Sequence, residues 1–518
     1  MPAAFFAALC CTGTANAQLT DLTQTPNVEN EGIFKSLQQQ IGAGVGDLNT
    51  PGSSTFIMAR DPARAIRRGR QLFQRKFTAA QGAGPRTPSG NIHTMPLIGA
   101  GLMDSCAGCH ARPRGSAGFG GAVFTAPDSR DAPHLFGLGI TEQLADEATR
   151  GLRQIRTDAI NAARASNSVQ TRNLQHRSVS YGVIRANPNG TVNTSGVVGV
   201  DPDLRIKPLF HEGGTTSIRE FVVGAFNDEM GLQAVDTLTI QGNAGARVVT
   251  PTGMVLNGAT DVVKRAPPNS VNDDPDGDGV SNEIPQSLVD FMEFYLFNYF
   301  KPGHYRSTSS QGQEGQNKLV SLGCTSCHIP NMEIVNDRRV ADVETVRDTQ
   351  RGIFNGMFST ASVLFTQQND GSGHPTIKVP NRGSFTVFRY YADLKRHDLG
   401  PAFHERRFDG SMITQFLTEP LWGVGSSPSY GHDGRSINLR EVILRHGGEA
   451  TNSRNAFASL PESQQLQVLE FLNELVLFPP DDTASNLNPG DRNAPGFPQR
   501  GHGSIRLPAL FNNPAELE

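Results

Sequence analysis

The chain has 518 residues, a formal net charge of −4 and six cysteines. This weakly acidic balance provides no broad basic surface, so nucleic acid is not expected as a partner. The length predicts two or three domains, and 55 glycines and 33 prolines predict many loops.

The chain begins with a short apolar segment, MPAAFFAALCCTGTANA, that ends in a small-x-small pattern at residues 15–17. Such a segment is typical of a secretory signal peptide, although this one has no positive charge at its start. No other run approaches the ~18 apolar residues of a membrane-spanning helix. We therefore predict a periplasmic or secreted protein without a membrane span. A polar N-terminal extension is expected at residues 18–58.

The periodicity of apolar residues then predicts a mainly α protein with inserted β-hairpins and much loop. In chain order, we expect helices at 61–77, about 140–164 and 217–226, hairpins at 177–205 and 235–265, a helix at 285–300, a helix leading from Gly315 into a cysteine motif, and a C-terminal helix. A capping box of Ser459 and Glu462 is predicted to begin that last helix.

Two short motifs, SCAGCHARP and GCTSCHIP, each hold two cysteines two residues apart with a histidine directly after. This is the attachment signature of c-type haem, in which the cysteines form thioethers and the histidine is the proximal iron ligand. Disulfides are the alternative in an exported protein. The histidines favour haem, and removal of the leader leaves every cysteine in one of the motifs. Two covalent haem c groups are predicted, haem 1 at Cys106, Cys109 and His110 and haem 2 at Cys324, Cys327 and His328.

An acidic segment, DPDGDGVSNE at 274–283, marks the boundary to the second half of the chain. Asp274, Asp276 and Asp278 alternate before Gly279, as in the first half of an EF-hand calcium loop. Pro285 stands where that loop places its bidentate glutamate. Calcium binding is predicted, and a solvated acidic linker is the alternative.

A short helix is predicted in NLREVILRHGG, with Asn438 at its start and Gly447 after its end. His446 shares one face of this helix with Leu439, Val442 and Ile443. From this pattern alone, His446 is either a buried core residue or a ligand.

Residues 419–450, EPLWGVGSSPSYGHDGRSINLREVILRHGGEA, resemble the bacterial di-haem cytochrome c peroxidase and MauG superfamily, and most closely its di-haem oxidoreductase (thiol oxidoreductase-like) branch. DSCAGCHARP, HLFGLGITEQL, GAFNDEMG and DLKRHDLGPAF agree with this. The resemblance implies two cytochrome c-type domains, at 59–300 for haem 1, with β insertions, and at 301–518 for haem 2. It also implies a peroxidase-like enzyme that reduces hydrogen peroxide or another small oxidant at haem 1. Electrons are then expected to pass through haem 2 from a small redox protein.

The resemblance also implies roles for individual residues. His446 follows His432 at the offset of the family's distal ligand of the electron-transferring haem, which makes it the expected distal ligand of haem 2. Glu229 in GAFNDEMG is the expected acid/base group. The chain departs from the family at two positions. Phe221 stands where the family has a glutamine that assists this glutamate, and His211 aligns roughly with the family's inter-haem tryptophan.

Several alternatives stay open at the sequence level. Met412 is the next candidate for the distal ligand of haem 2. Two functions are alternatives to peroxide reduction. One is a non-catalytic electron-transfer cytochrome, and the other is a di-haem oxygenase or maturation enzyme that acts on an organic or protein substrate. Phe221 mildly favours the oxygenase or maturation enzyme over a simple peroxidase. The sixth ligand of haem 1 is undecided among His93, His134, His176 and His211.

Overall fold

The computed structural model describes residues 44–84, 103–110, 116–120, 122–123, 128, 130–299, 309–347, 357–407 and 409–476. The predicted signal peptide, the first part of the predicted extension and His93 lie outside the described residues. The α-helices are α1 (Ser54–Arg60), α2 (Pro62–Gln74), α3 (Cys106–Cys109), α4 (Leu138–Ser166), α5 (Ile218–Met230), α6 (Thr237–Asn243), α7 (Gln286–Asn298), α8 (Ser310–Ser321), α9 (Leu439–Arg445), α10 (Thr451–Ala458) and α11 (Glu462–Asn473).

The described strands are short and pair in small sheets. They are β1 (Ala122–Val123), β2 (Arg130–Asp131), β3 (Gln170–His176), β4 (Val179–Ala186), β5 (Val192–Val197), β6 (Ala234–Val235), β7 (Arg247–Val249), β8 (Val255–Asn257), β9 (Ile284–Pro285), β10 (Met332–Ile334), β11 (Ala341–Arg347), β12 (Met357–Val363), β13 (Phe365–Gln368), β14 (Ile377–Pro380), β15 (Phe385–Val387), β16 (Arg396–His397), β17 (Glu405–Arg406), β18 (Met412–Ile413) and β19 (Phe416–Leu417).

The core of the first half forms where α2 and α5 pack against the almost entirely buried helix α7. A Cβ atom at Gly69 of α2 would lie 2.2 Å from the carbonyl oxygen of Phe291, so glycine permits the close approach of α2 to α7. Arg219 of α5 is fully buried in this core, where it binds the carboxylates of Asp236, Asp290 and Glu293.

The three strands β3, β4 and β5 form an antiparallel sheet in that order, and this sheet packs on the long helix α4. The hairpin predicted at 177–205 is therefore part of a larger unit, because its first strand begins at Gln170. The second predicted hairpin is the β7–β8 pair, which follows α6.

The second half is built on the packing of α8 against α11. A Cβ atom at Gly315 would lie 2.0 Å from the carbonyl oxygen of Gln467, so glycine again allows two helices to meet closely. The predicted capping box is wrong. Ser459 follows the last residue of α10 and its hydroxyl donates to the Ala456 carbonyl, while α11 begins at Glu462 after Pro461.

The two halves contact each other through polar and apolar groups. The Arg130 guanidinium lies 2.7 Å from the buried Glu405 carboxylate, and the backbone N–H of Asp131 donates to the His432 carbonyl at 2.8 Å. Trp422 and Tyr390 of the second half belong to the core that covers α4. Residues 130–131, α4 and residues 390–432 are therefore held in one packed structure.

Among the described helices, none combines the length and the apolar character that crossing a bilayer requires.

Candidate active site and haem-binding residues

A cavity lined mostly by residues of the first half contains the first C-x-x-C-H motif. Cys106 and Cys109 lie on the short helix α3 and His110 directly follows it, and all three line the cavity. The empty space is about 1300 Å³, open solvent at its mouth included. The cavity therefore provides space directly beside the first C-x-x-C-H motif.

The His110 imidazole is oriented as a metal-ligating histidine must be. Its Nδ1 donates to the Pro133 carbonyl at 2.7 Å, which leaves the Nε2 lone pair for a metal. Burial lowers the pKa of His110, so the ring is neutral at pH 7, as ligation requires.

Glu229 lies in the last turn of α5 and lines the same cavity. Burial, followed by the charge of Asp228, raises the pKa of Glu229 to about 7, against the opposing effect of Arg130. Burial raises the pKa of the Cys109 thiol to about 11, and the charge of Glu229 adds to this. The carboxyl group is therefore within electrostatic range of the haem motif, and both of its protonation states are accessible near neutral pH.

Two of the candidate sixth ligands also line this cavity, namely His134 and His211. Each has one buried ring nitrogen without a hydrogen-bond partner among the described residues, Nδ1 of His134 and Nε2 of His211. His176 is not among the lining residues and lies instead on β3, next to Gly151 of α4. The structure thus keeps His134 and His211 as candidates and separates His176 from the site.

The sequence analysis missed two further acidic residues in the cavity wall, Asp131 and Glu419. Glu419 comes from the second half of the chain and reaches the cavity only through the packing of the two halves. No local signal in its sequence distinguishes it from a surface glutamate.

The second C-x-x-C-H motif follows α8, and Cys324 begins a single 3₁₀ turn there. Its histidine, His328, donates from Nδ1 to the Tyr391 carbonyl at 2.8 Å. Burial lowers the pKa of His328 to about 4, and the charge of His446 acts in the same direction. The structure therefore places His446 within electrostatic range of the second motif.

His446 lies directly after α9, whose start is capped as predicted. The Asn438 side chain accepts a hydrogen bond from the Glu441 N–H at 2.9 Å. His446 donates from Nδ1 to the Val442 carbonyl at 2.7 Å, so its Nε2 is also left for a metal. Met412, the alternative ligand, is 45 % exposed. The geometry favours His446, and ligation itself stays a prediction.

The acidic loop has the predicted clustering. One carboxylate oxygen from each of Asp274, Asp276 and Asp278 lies within 4.8 Å of the others. The Asp274 side chain also accepts from the N–H groups of Gly277 and Gly279, both at 2.9 Å. This compact loop is compatible with a hard cation such as calcium.

A comparison with known families adds one finding. Residues 334–475 match a family described as "Di-haem oxidoreductase, putative peroxidase". The matched stretch includes His446 and Glu419 but neither C-x-x-C-H motif. No curated protein and no solved structure matches the chain. The match supports a di-haem oxidoreductase and, with it, haem as the cofactor.

Proposed function

We propose that the protein is an exported di-haem c-type oxidoreductase that reduces hydrogen peroxide at its first haem site. The observation that carries this proposal is the cavity that brings Glu229 within electrostatic range of the first C-x-x-C-H motif. When bound there, haem supplies an iron centre that can bind and reduce an oxidant. Export is proposed from the leader-like first 17 residues.

The described residues fit haem at both sites. Cys106 and Cys109 would hold the first group and His110 its iron. Cys324 and Cys327 would hold the second, and His328 and His446 would supply ligands to its iron. With two histidine ligands, the second group would receive electrons from a small redox protein rather than bind peroxide.

Glu229 is the proposed acid/base group. Peroxide cleavage is easiest when one oxygen leaves as water, which requires a proton to move from one peroxide oxygen to the other. The carboxylate can accept that proton and return it to the departing oxygen. A pKa of about 7 suits both steps, because the group gains and loses a proton at little cost near neutral pH.

Calcium is a second proposed cofactor, at Asp274, Asp276 and Asp278. Three carboxylates within 4.8 Å repel one another unless a cation screens them. Burial, followed by the neighbouring aspartates, raises the pKa of Asp276 to about 6, in agreement with this repulsion.

The direct test of the catalytic proposal is Glu229→Gln, which keeps the size of the side chain and removes its proton transfer. The variant should retain both haems and lose ~10²-fold or more in peroxide turnover. Glu419→Gln is the matched control, because it removes the carboxyl group of the other glutamate that lines the same cavity. Wild-type turnover in Glu229→Gln, or the loss in Glu419→Gln instead, would show that Glu229 is not the acid/base group.

Peroxide turnover should depend on pH in the wild type and not in the same variant. The carboxylate must accept the first proton, so wild-type turnover should fall as the pH decreases through about 7 and Glu229 becomes protonated. Glu229→Gln should lack this decrease.

A second candidate function is oxidation of an organic or protein substrate. Phe221 lines the cavity where the family has a glutamine, and its ring lies 5.1 Å from that of Phe210, which also lines it. This wall is apolar, which suits an organic group better than peroxide alone. Oxidation of an organic substrate by the wild type, reduced in a Phe221→Gln variant, would support this function, and absence of such oxidation in the wild type would argue against it.

A further inference from the structure

One segment of the second half, residues 391–399, begins at the carbonyl that orients His328, and we call it the connecting segment. The Tyr391 carbonyl accepts the hydrogen bond from His328 Nδ1 at 2.8 Å. The backbone of Tyr391 and of Leu394 is left-handed, with φ of 55° and 62°, which is an unfavourable conformation for side chains of this size. Both side chains are buried, so the surrounding packing holds the segment in this conformation. The carbonyl that orients His328 is therefore fixed in place.

The other end of the connecting segment contacts the chain directly after His446. The Leu399 carbonyl accepts a hydrogen bond from the Gly447 N–H at 2.9 Å. The Asp398 carbonyl accepts one from the Glu449 N–H, also at 2.9 Å. The segment that orients the predicted proximal histidine of the second haem therefore also holds the residues that follow the predicted distal one.

The side chain of His397 adds a second connection between the same two parts of the chain. Its Nε2 lies 2.9 Å from Oδ2 of Asp393, and its Nδ1 lies 2.8 Å from Oε2 of Glu449. Because an ionised carboxylate can only accept, both ring nitrogens donate and the ring is an imidazolium cation. Asp393 is 1 % exposed and belongs to the connecting segment. Glu449 follows shortly after His446, and its other carboxylate oxygen accepts from the Asp398 N–H at 3.0 Å.

We propose that His397 is a positioning residue of the second haem site, which keeps His446 in place for ligation by tying Glu449 to the connecting segment. The proposal rests on the proposed function, because it takes His446 as the distal ligand. Contacts outside the ligand set orient the ligands of a metal, and loss of such a contact typically weakens metal binding or activity ~10–100-fold. Loss of the His397 link should therefore weaken ligation by His446 and leave the first haem site unaffected.

Cyanide titration of the oxidised holoprotein tests this role, because cyanide competes with His446 for the iron of the second haem. Electron paramagnetic resonance separates a haem with two histidine ligands from a haem with one histidine and cyanide. In His397→Gln, cyanide should bind the second haem ~10-fold or more tightly than in the wild type, and its affinity for the first haem should not change. Wild-type affinity at the second haem, or an equal change at both haems, would overturn the proposal.

Two further variants test the same link from its exposed end and from a neighbouring histidine. The Glu449 side chain is 47 % exposed, so Glu449→Ala keeps the buried pair of Asp393 and His397 and should show the same increase in cyanide affinity even if His397→Gln does not fold. His404→Gln is the matched control, because His404 Nε2 lies 2.8 Å from Oδ1 of Asp398 and its loss leaves the link to Glu449 intact. It should bind cyanide as the wild type does, and an increase as large as that of the other variants would contradict the proposal.

Variants of His446 distinguish failure of this proposal from failure of the ligation on which it rests. A positioning residue acts only through the ligand, so adding His397→Gln to His446→Ala should give no further change in cyanide affinity. A further increase in the double variant would contradict the proposal. Unchanged spectra in His446→Ala alone would show that His446 is not a ligand and would overturn both. Changed spectra in His446→Ala together with wild-type cyanide binding in His397→Gln would overturn only the role of His397.

Discussion

At the scale of single residues, three histidines share one arrangement. His110, His328 and His446 each donate from Nδ1 to a backbone carbonyl, at 2.7, 2.8 and 2.7 Å. Such a bond fixes the tautomer and leaves Nε2 as the free nitrogen, which is how proteins prepare histidine to bind a metal. The shared arrangement supports two proximal ligands and one distal ligand.

Replacing His446 by alanine should convert the second haem from low spin to high spin, because one axial position opens. Absorption and electron paramagnetic resonance spectra of the purified variant would show this change. The matched control is Met412→Ala, which removes the exposed alternative and should leave the spectra unchanged. Unchanged spectra in His446→Ala would exclude His446 as a ligand.

Site residues that belong to a local sequence motif could be predicted from the sequence. Site residues that reach the cavity only through contacts distant in sequence could not. His110 and His328 follow from the C-x-x-C-H pattern alone. Glu419 reaches the cavity from a segment far along the chain, and nothing near it signals this.

At the scale of elements, helices with local capping signals were predicted well. The Asp61 side chain caps α2, Ser217 caps α5 and Asn438 caps α9. The capping box at Ser459 failed because a second short helix, α10, ends there. The short strands of the second half were not predicted. These strands pair with partners distant in sequence, as β10 does in its antiparallel pairing with β15. Strands this short show little alternation of apolar and polar residues from which to predict them.

The Arg219 cluster is the element-scale feature with the largest expected effect on stability. It joins α5 to α7 and to Asp236, the residue that caps α6. Replacing Arg219 by methionine leaves three buried carboxylates without their cation, which should lower the free energy of unfolding by ~3–5 kcal/mol. Urea denaturation of the holoprotein measures this loss.

An ion pair whose arginine is exposed provides the control for that experiment. The Arg150 side chain is largely exposed and lies 3.6 Å from Asp146. Arg150→Ala should change the free energy of unfolding by no more than ~0.5 kcal/mol. An equally small loss in the Arg219 variant would contradict a stabilising role for the buried cluster.

At the scale of the whole molecule, the first haem site depends on both halves of the chain. Arg130 of the cavity wall is held by Glu405, and Glu419 completes the wall from the second half. The family match covers only residues 334–475 and does not include the first motif or Glu229. These residues are connected to the matched segment only by the packing of the two halves. The division into two haem domains, 59–300 and 301–518, stays a prediction.

The spin state of the two haems in the resting holoprotein tests the proposed function most directly. Electron paramagnetic resonance of the oxidised and half-reduced protein, repeated after addition of hydrogen peroxide, separates the two sites. One low-spin haem with two histidine ligands should not respond directly to peroxide, and one high-spin haem should appear in at least one of the two states and change when peroxide is added. Two low-spin haems in both states, with no response to peroxide, would contradict a reactive first site and identify the protein as an electron carrier.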